Sequence, residues 1–464
     1  AYEARDRAGE KFQASKDDLV HFRTLHSFAL RHLPVDENNL MKTKHWKLLS
    51  SIIGFDLVLD STAESIYSNT NHPYINLINI ARLKNISLKE AWNVSSQTIN
   101  WSKLDYLNRC INEFKKENEL FDFTDMIVDY TKDSYVTNFD VLFIDEAQDM
   151  PPIQYDMVEK LISNSKETFI AGDDDQAIFR WSGADVDRFI NLKGNVTVLD
   201  KSYRCPKRVH RLANFIITKV KNRRNKQWSP KDEDGKVYRH ASLKHIDFSK
   251  GNWLVLGRTK KIRKDIIENF FLEQGYWFGQ GDKRPVAQSI IDAIFTWKRL
   301  KSGQQINLKS AKNLYLKIKS QTKESSTGIK RGFKQLKNTS DDDMFNMKNL
   351  KENHGLLSDG DWYDVLDNVD GRDLTYIRRL EQIGEKIDGD PRIKVSTIHM
   401  AKGGECDNVV VLTDLGPLVY KSYLKNPDDE HRVFYVAVTR AKHNLHIIEP
   451  QKKLGYRIYG NEIN

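Results

Sequence analysis

Asp145 and Glu146 stand at the end of a short apolar run, Val141 to Ile144, and a second run, Thr168 to Ala171, ends in Gly172-Asp173-Asp174-Asp175-Gln176. Paired carboxylates with an amide nearby are the residue types that hold a hydrated divalent cation carrying nucleotide phosphates. Both runs have the length and apolar content of buried parallel strands. In open α/β sheets, ligands bind at the carboxyl ends of the strands, where these acids fall. Between the runs, Asp149 followed by Pro151-Pro152 reads as a helix start, capped by the acid and opened by proline. The elements that must position the acids are therefore strand, helix, strand.

The 464 residues suffice for two to four domains with sizeable cores. At 39% hydrophobic and 30% charged residues, the chain falls in the globular class and outside the disordered one. A formal net charge of +9 favours a polyanionic partner. Cys110, Cys205 and Cys406 are scattered without metal-ligand spacing, which predicts a reducing, cytoplasmic setting and no disulfide framework. No apolar run approaches the roughly 18 residues of a membrane span, so no membrane partner is expected. The basic run at 219–231 reads as a solvated face. The stretch 320–343, rich in Lys, Ser, Asn and Asp, is expected to be flexible.

Longer strings narrow the choice. DEAQD at 145–149 and GDDDQAIFRWSGAD at 172–185 resemble the Walker B motif and the next motif of UvrD/Rep-type superfamily 1 DNA helicases. TLHSFALR at 24–31 resembles that family's early DNA-contacting motif, and LFDFTDM at 120–126 its DFxDL segment. KSYRCP at 201–206 follows an expected strand and resembles LxxNYR, with Ser202 in place of the usual Asn. TIHMAKGGECDNV at 397–409 resembles TxHxxKGLEFxxV, with Gly404 and Cys406 in place of Leu and Phe. DDEHRVFYVAVTRA at 428–441 resembles EExRLxYVAxTRA.

The resemblance implies an α/β fold: two RecA-like P-loop-NTPase motor domains with helical insertions. The first motor domain would span 1–199, with a helical insertion at about 34–120. The second would span 200–297 and 391–464, with a small helical insertion at 298–390. The implied activity is that of an ATP-dependent DNA helicase, which translocates on single-stranded DNA, 3′ to 5′ in the family, and unwinds duplex DNA. Its cofactors would be ATP and Mg²⁺, and its partners single-stranded and partially duplex DNA. By the same resemblance Asp145 holds the metal, Glu146 orients or deprotonates the attacking water, and Gln176 senses the γ-phosphate. Arg204 and Arg440 reach that phosphate, Tyr203 stacks on adenine and Glu405 contacts the ribose. Thr24, His26, Thr397 and His399 lie on the DNA side, and Phe179 and Trp181 stack on bases.

Each of these residues has a plainer reading beside the functional one. Asp145-Glu146 alone would be a solvated turn, His26 a locally satisfied helix-start residue, and Phe179 and Trp181 core aromatics. What outweighs these readings is that five of these motifs match in family order. One part of the machinery is absent. ATPases of this class carry GxxxxGK[ST], whose amides cradle the phosphates. The only Gly-Lys pair here is Gly235-Lys236, followed by Val237. The expectation is a chain lacking its N-terminal P-loop portion. The alternative is a catalytically inactive, helicase-like protein that binds single-stranded DNA.

Overall fold

Phe139–Ile144 (β1) and Ser165–Ile170 (β2) pair in parallel, with Phe143 opposite Phe169 and Ile144 opposite Ile170. The ladder continues beyond the strands: Ala171 N donates to Ile144 O, and Ala147 N to Ala171 O. The two loops that carry the acids are thus held side by side. These features come from a computed structural model that describes residues 2–15, 17–57, 72–95, 98–133, 137–322, 326–336, 339–387, 389–451 and 453–458. The expected flexible stretch and the first helical insertion therefore lie partly outside the described residues.

The chain divides into two units. The first comprises Ala1–Leu199, Ile217–Gln227 and Asn426–Tyr435. The second comprises Asp200–Ile216, Trp228–Lys425 and Val436–Asn464. The motifs lead one to expect all of 200–297 and 391–464 in the second motor domain. By packing, two pieces of those ranges cluster with the first unit, for a reason that is electrostatic and described below.

In the first unit, one face of the β1–β2 sheet packs on the helix Pro152–Ile162. Ile144 there joins Tyr155, Val158 and Phe189 in a small core. This helix starts from Pro151 as its cap; Asp149 instead ends a 3₁₀ turn, Ala147–Asp149. Proline fixes its own φ near the helical value, so the helix begins there rather than at the acid. The opposite face of the sheet is bare: Phe143 is 73% exposed and its ring stacks on Phe169 with centroids 5.0 Å apart. The helical insertion has its own core, which includes Leu49, Ile78, Leu104, Leu107 and Ile111. It is tied to the start of the helix Phe123–Lys132 by four charges: Arg82 and Lys115 each contact both Asp122 and Asp125.

The second unit holds a six-stranded parallel sheet. Its strands are Lys236–His240 (β3), Trp253–Gly257 (β4), Phe278–Gly279 (β5), Ile393–Thr397 (β8), Cys406–Leu412 (β9) and Ala441–Ile448 (β10), in the order β3-β10-β9-β4-β8-β5. β4 is buried at every residue, as its unbroken apolar run requires of a central parallel strand. A helical part between β5 and β8 builds a separate core around Trp297, Leu314, Tyr315 and Ile377. It includes a two-residue antiparallel pair, Ile306–Asn307 (β6) with Met344–Phe345 (β7). Within 320–343, Ile329 and Leu336 are buried in that core, so the described part of this polar stretch is anchored by its few apolar residues.

The strand expected before Tyr203 does not form. Lys201 makes an isolated bridge to Ser229, while Val196, Val198 and Leu199 are exposed. A run of β-branched residues such as Val196-Thr197-Val198 favours a strand only where a partner ladder satisfies the backbone. No helix among the described residues is long and apolar enough to cross a membrane.

Candidate functional site

Glu146 sits at the turn out of β1 with φ 55° and ψ 36°, a left-handed conformation that costs a non-glycine residue free energy. Asp145 and Glu146 are both exposed, an environment that suits a hydrated cation and a water. Behind them lies a residue the sequence reading passed over. Gln148 is 1% exposed, and its Nε2 donates to Glu146 Oε2 at 2.5 Å while its Oε1 accepts from Asp173 N at 2.9 Å. The backbone N–H can only donate, so the carbonyl end of the amide must face it and the NH₂ end must face the carboxylate. Gly172 makes room for this bridge: a Cβ there would lie 2.5 Å from Gln148 Oε1 and 2.7 Å from the Phe189 ring. Nothing in DEAQD marks this glutamine, because its burial depends on Gly172 and Asp173, which stand more than 20 residues away in sequence.

The acids after β2 take a different part from the one expected. Asp174 and Asp175 are buried, and their carboxylates meet cations of the chain itself. Arg223 grips Asp175 with Nε at 2.8 Å and Nη2 at 2.6 Å. The Lys226 ammonium sits among all three acids, 2.8 Å from Asp173 and 3.3 Å from Asp175, and also contacts Asp174. Arg224 N donates to Asp174 Oδ2, and fully buried Arg432 donates to Asp174 O at 2.8 Å. Burial alone would raise the Asp173 pKa; Lys226, then Gln176, outweigh it and hold the carboxyl below its ordinary value. The three carboxylates lie close enough to ligate a metal, but the cation among them is Lys226. The basic run is thus not a solvated face. Its contacts tie Ile217–Gln227 to the first unit, and Arg432, through Asp174 O, ties Asn426–Tyr435 to it.

Gln176 Nε2 donates to Asp173 Oδ2 at 2.7 Å, and five residues on, Trp181 is 53% exposed in a 3₁₀ turn that Phe179 caps. Phe179 is half-buried. Elsewhere in this unit, Thr24 caps the helix Leu25–His32 and accepts from Ser27 N. With His26, Ser27, Leu30, Lys42, Phe123 and others it lines a cavity of about 320 Å³. His26 is buried there against the Phe123 ring, centroids 5.7 Å apart. Burial pulls its pKa down to about 4, against the opposite pull of Asp122. Phe123 is a cavity-lining residue that the sequence reading named only as part of a string.

In the second unit Tyr203 is 88% exposed, a ring open to stacking. Ser202, which replaces the usual Asn, accepts from Arg204 N at 3.3 Å and Cys205 N at 3.1 Å, and so closes the turn into the helix Lys207–Ile217. Arg204 Nε donates to Glu405 Oε2 at 2.6 Å, and Lys442 stands 3.6 Å from the same carboxylate. Arg204, through that bond, is the main cause of the lowered Glu405 pKa. Arg440 is 1% exposed; its guanidinium donates to Val436 O, Gly404 O and Thr439 Oγ1. The Gly403-Gly404 turn allows this: Gly403 has φ +83°, and Gly404 offers its carbonyl to Arg440. Thr397 is buried and His399 half-buried, at the carboxyl end of β8.

The donor sets fit the groups the motifs imply. Exposed Asp145 and Glu146 suit Mg²⁺ with its waters, exposed Tyr203 suits a base, and Arg204 already holds one anionic group, the Glu405 carboxylate.

Residues 1–197 match the UvrD/REP helicase N-terminal domain, and residues 393–448 the UvrD-like helicase C-terminal domain; together these cover more than half of the chain. Among curated proteins, the chain is 32% identical over 136 residues to an ATP-dependent DNA helicase PcrA of Bacillus subtilis, covering 26% of this chain and 18% of that protein. It is 24% identical over 269 residues to an ATP-dependent DNA helicase PcrA of Staphylococcus aureus, covering 53% of this chain and 36% of that protein. The protein of the same name from Staphylococcus epidermidis is 24% identical over 260 residues, 51% of this chain and 35% of its own length. The aligned part thus spans at most about a third of these relatives. With the motifs in order and both domain models matched, this chain belongs to the UvrD/Rep-type superfamily 1 helicase family.

Proposed function

We propose that the chain is the motor of an ATP-dependent DNA helicase that translocates on single-stranded DNA, 3′ to 5′, and unwinds duplex DNA. One observation carries the reading: at adjoining strand ends, a left-handed Glu146 beside Asp145 is hydrogen-bonded through Gln148 to the loop that leads to exposed Trp181. A carboxylate of a type suited to phosphate chemistry and an aromatic of a type suited to stacking thus share one short framework. Base–aromatic stacking is worth about 1–3 kcal/mol per base. The curated relatives, ATP-dependent DNA helicases by name, agree in kind.

In this reading Asp145 holds Mg²⁺, which when bound neutralises charge on the phosphates. Glu146 orients the attacking water and accepts its proton. Arg204 exchanges Glu405 for the γ-phosphate, a pairing its forked guanidinium suits, and Arg440 adds a second positive charge. Tyr203 stacks on the adenine. Thr24, His26, Thr397 and His399 meet the DNA backbone.

The test is ATP hydrolysis with and without single-stranded DNA. It is run on the chain and on a version extended upstream to the next start codon, because the sequence holds no GxxxxGK[ST]. DNA-stimulated turnover that Glu146→Gln lowers by at least about 10²-fold is expected, the weight of a general base. Binding of single strands with no turnover in either form would replace the motor with the inactive binding protein.

A further inference from the structure

Four hydrogen-bonded groups form an unbroken chain across the ends of β1 and β2. Glu146 Oε2 accepts from Gln148 Nε2, Gln148 Oε1 accepts from Asp173 N, and Asp173 Oδ2 accepts from Gln176 Nε2. Asp173 also accepts, through Oδ1, from Asp175 N at 3.1 Å, which fixes the 3₁₀ turn Asp174–Gln176. From that turn the backbone runs directly to Phe179 and Trp181.

We infer that Gln148 is a positioning residue that couples the Glu146 carboxylate to the Asp173–Gln176 turn, so that a movement of the turn or of Trp181 resets Glu146. This rests on the function proposed above. Three features support it. Gln148 is buried, so its amide cannot exchange these partners for water, and leaving either end unmet is costly. Its two ends face different elements, with the orientation fixed by the Asp173 N–H. Glu146 holds a left-handed backbone conformation, which persists only when its surroundings over-determine it. The Asp173 end is itself anchored: Lys226 holds the other carboxylate oxygen at 2.8 Å. A shift on the DNA-side turn therefore has a rigid route to Glu146, through an amide that cannot stretch.

Two variants test the link. Glu146→Ala removes an exposed side chain, so the core remains folded; Gln148→Met keeps length and volume but removes both bonds. Residue-resolved hydrogen exchange at the Asp173 and Gln176 amides is measured in each. The coupling predicts faster exchange at Asp173 in both variants, by roughly tenfold in Gln148→Met, the weight of about one hydrogen bond. Faster exchange in Gln148→Met alone makes Gln148 a mere tie between loops and overturns the inference, as does no change in either. The second readout is the ratio of ATP turnover with and without single-stranded DNA. In Gln148→Met this ratio should fall towards one while KM for MgATP stays within about twofold, since uniform binding is untouched. Slower turnover with the ratio preserved would show a structural role only. If neither the chain nor its upstream-extended version hydrolyses ATP, the proposed function fails and the exchange readout alone decides the coupling.

Discussion

Single residues at this site are constrained by close approach and by burial. Gly172 is the clearer case, because any side chain there meets Gln148 and the Phe189 ring. Gly172→Ala should destabilise the protein by about 1–3 kcal/mol, the cost of overpacking; a urea midpoint unchanged from the parent would show that the bridge can move aside. His26 makes a pH prediction. Its folded pKa, about 4, lies below the ordinary histidine value because burial disfavours the charged ring. Its stabilising contribution is therefore complete above about pH 6.5 and lost as pH falls through 4. Between pH 7.5 and 4 the parent should lose on the order of 2–3 kcal/mol more than His26→Gln in denaturant titrations. Equal losses would mean that the ring is solvated.

At the level of elements, charge fixes what packs on what. Asp122 caps the helix Phe123–Lys132 and also meets Arg82 and Lys115 from the insertion. Burial would raise its pKa, but Arg82 and then Lys115 outweigh that and hold it far below the usual carboxylate range. A depressed acid stabilises fully above its unfolded pKa of about 3.9 and fails as pH falls through the folded value. Acid unfolding of the parent should therefore continue to steepen below about pH 4, and Asp122→Asn, which keeps the cap, should flatten that limb. Identical acid limbs, followed by circular dichroism, would remove Asp122 as a source of acid sensitivity. LFDFTDM was legible in the sequence as a motif string. Its partners, Arg82 and Lys115, were not, because they lie 40 and 7 residues from Asp122 in helices whose packing no local pattern specifies.

Over the whole molecule, the net charge of +9 is not all available to a polyanion. Arg223 and Lys226 are committed to the first unit's own acids, and Arg432 is buried against the Asp174 and Asn222 carbonyls. Binding of single-stranded oligonucleotides should still weaken with salt, losing roughly 0.7 in log–log slope for each phosphate neutralised. Trp181→Ala should weaken it by about 1–3 kcal/mol with the slope unchanged, because stacking releases no counterions. Fluorescence anisotropy across 50–200 mM salt, taken as a rough working range, checks both; a slope near zero would contradict a backbone-tracking surface. The bare sheet face at Phe143 and Phe169 also belongs to this scale, since parallel sheets are ordinarily covered on both sides.

The sequence by itself determined the family, the chemistry-bearing residue types and the strand–helix–strand frame beneath Asp145 and Glu146. Motif strings and hydrophobic period are local properties, and local properties survive in one dimension. Only the tertiary structure decided which charges cancel. Three acids that read as a cation site after β2 hold Lys226 and Arg223, and Arg204, assigned to a phosphate, rests on Glu405, 201 residues away. Ion pairing depends on distance in space, and burial makes each charge find a partner wherever the chain brings one. For the same reason the buried Gln148, unremarkable in the string, emerged as the link between the two loops only when Asp173 and Glu146 stood on either side of it.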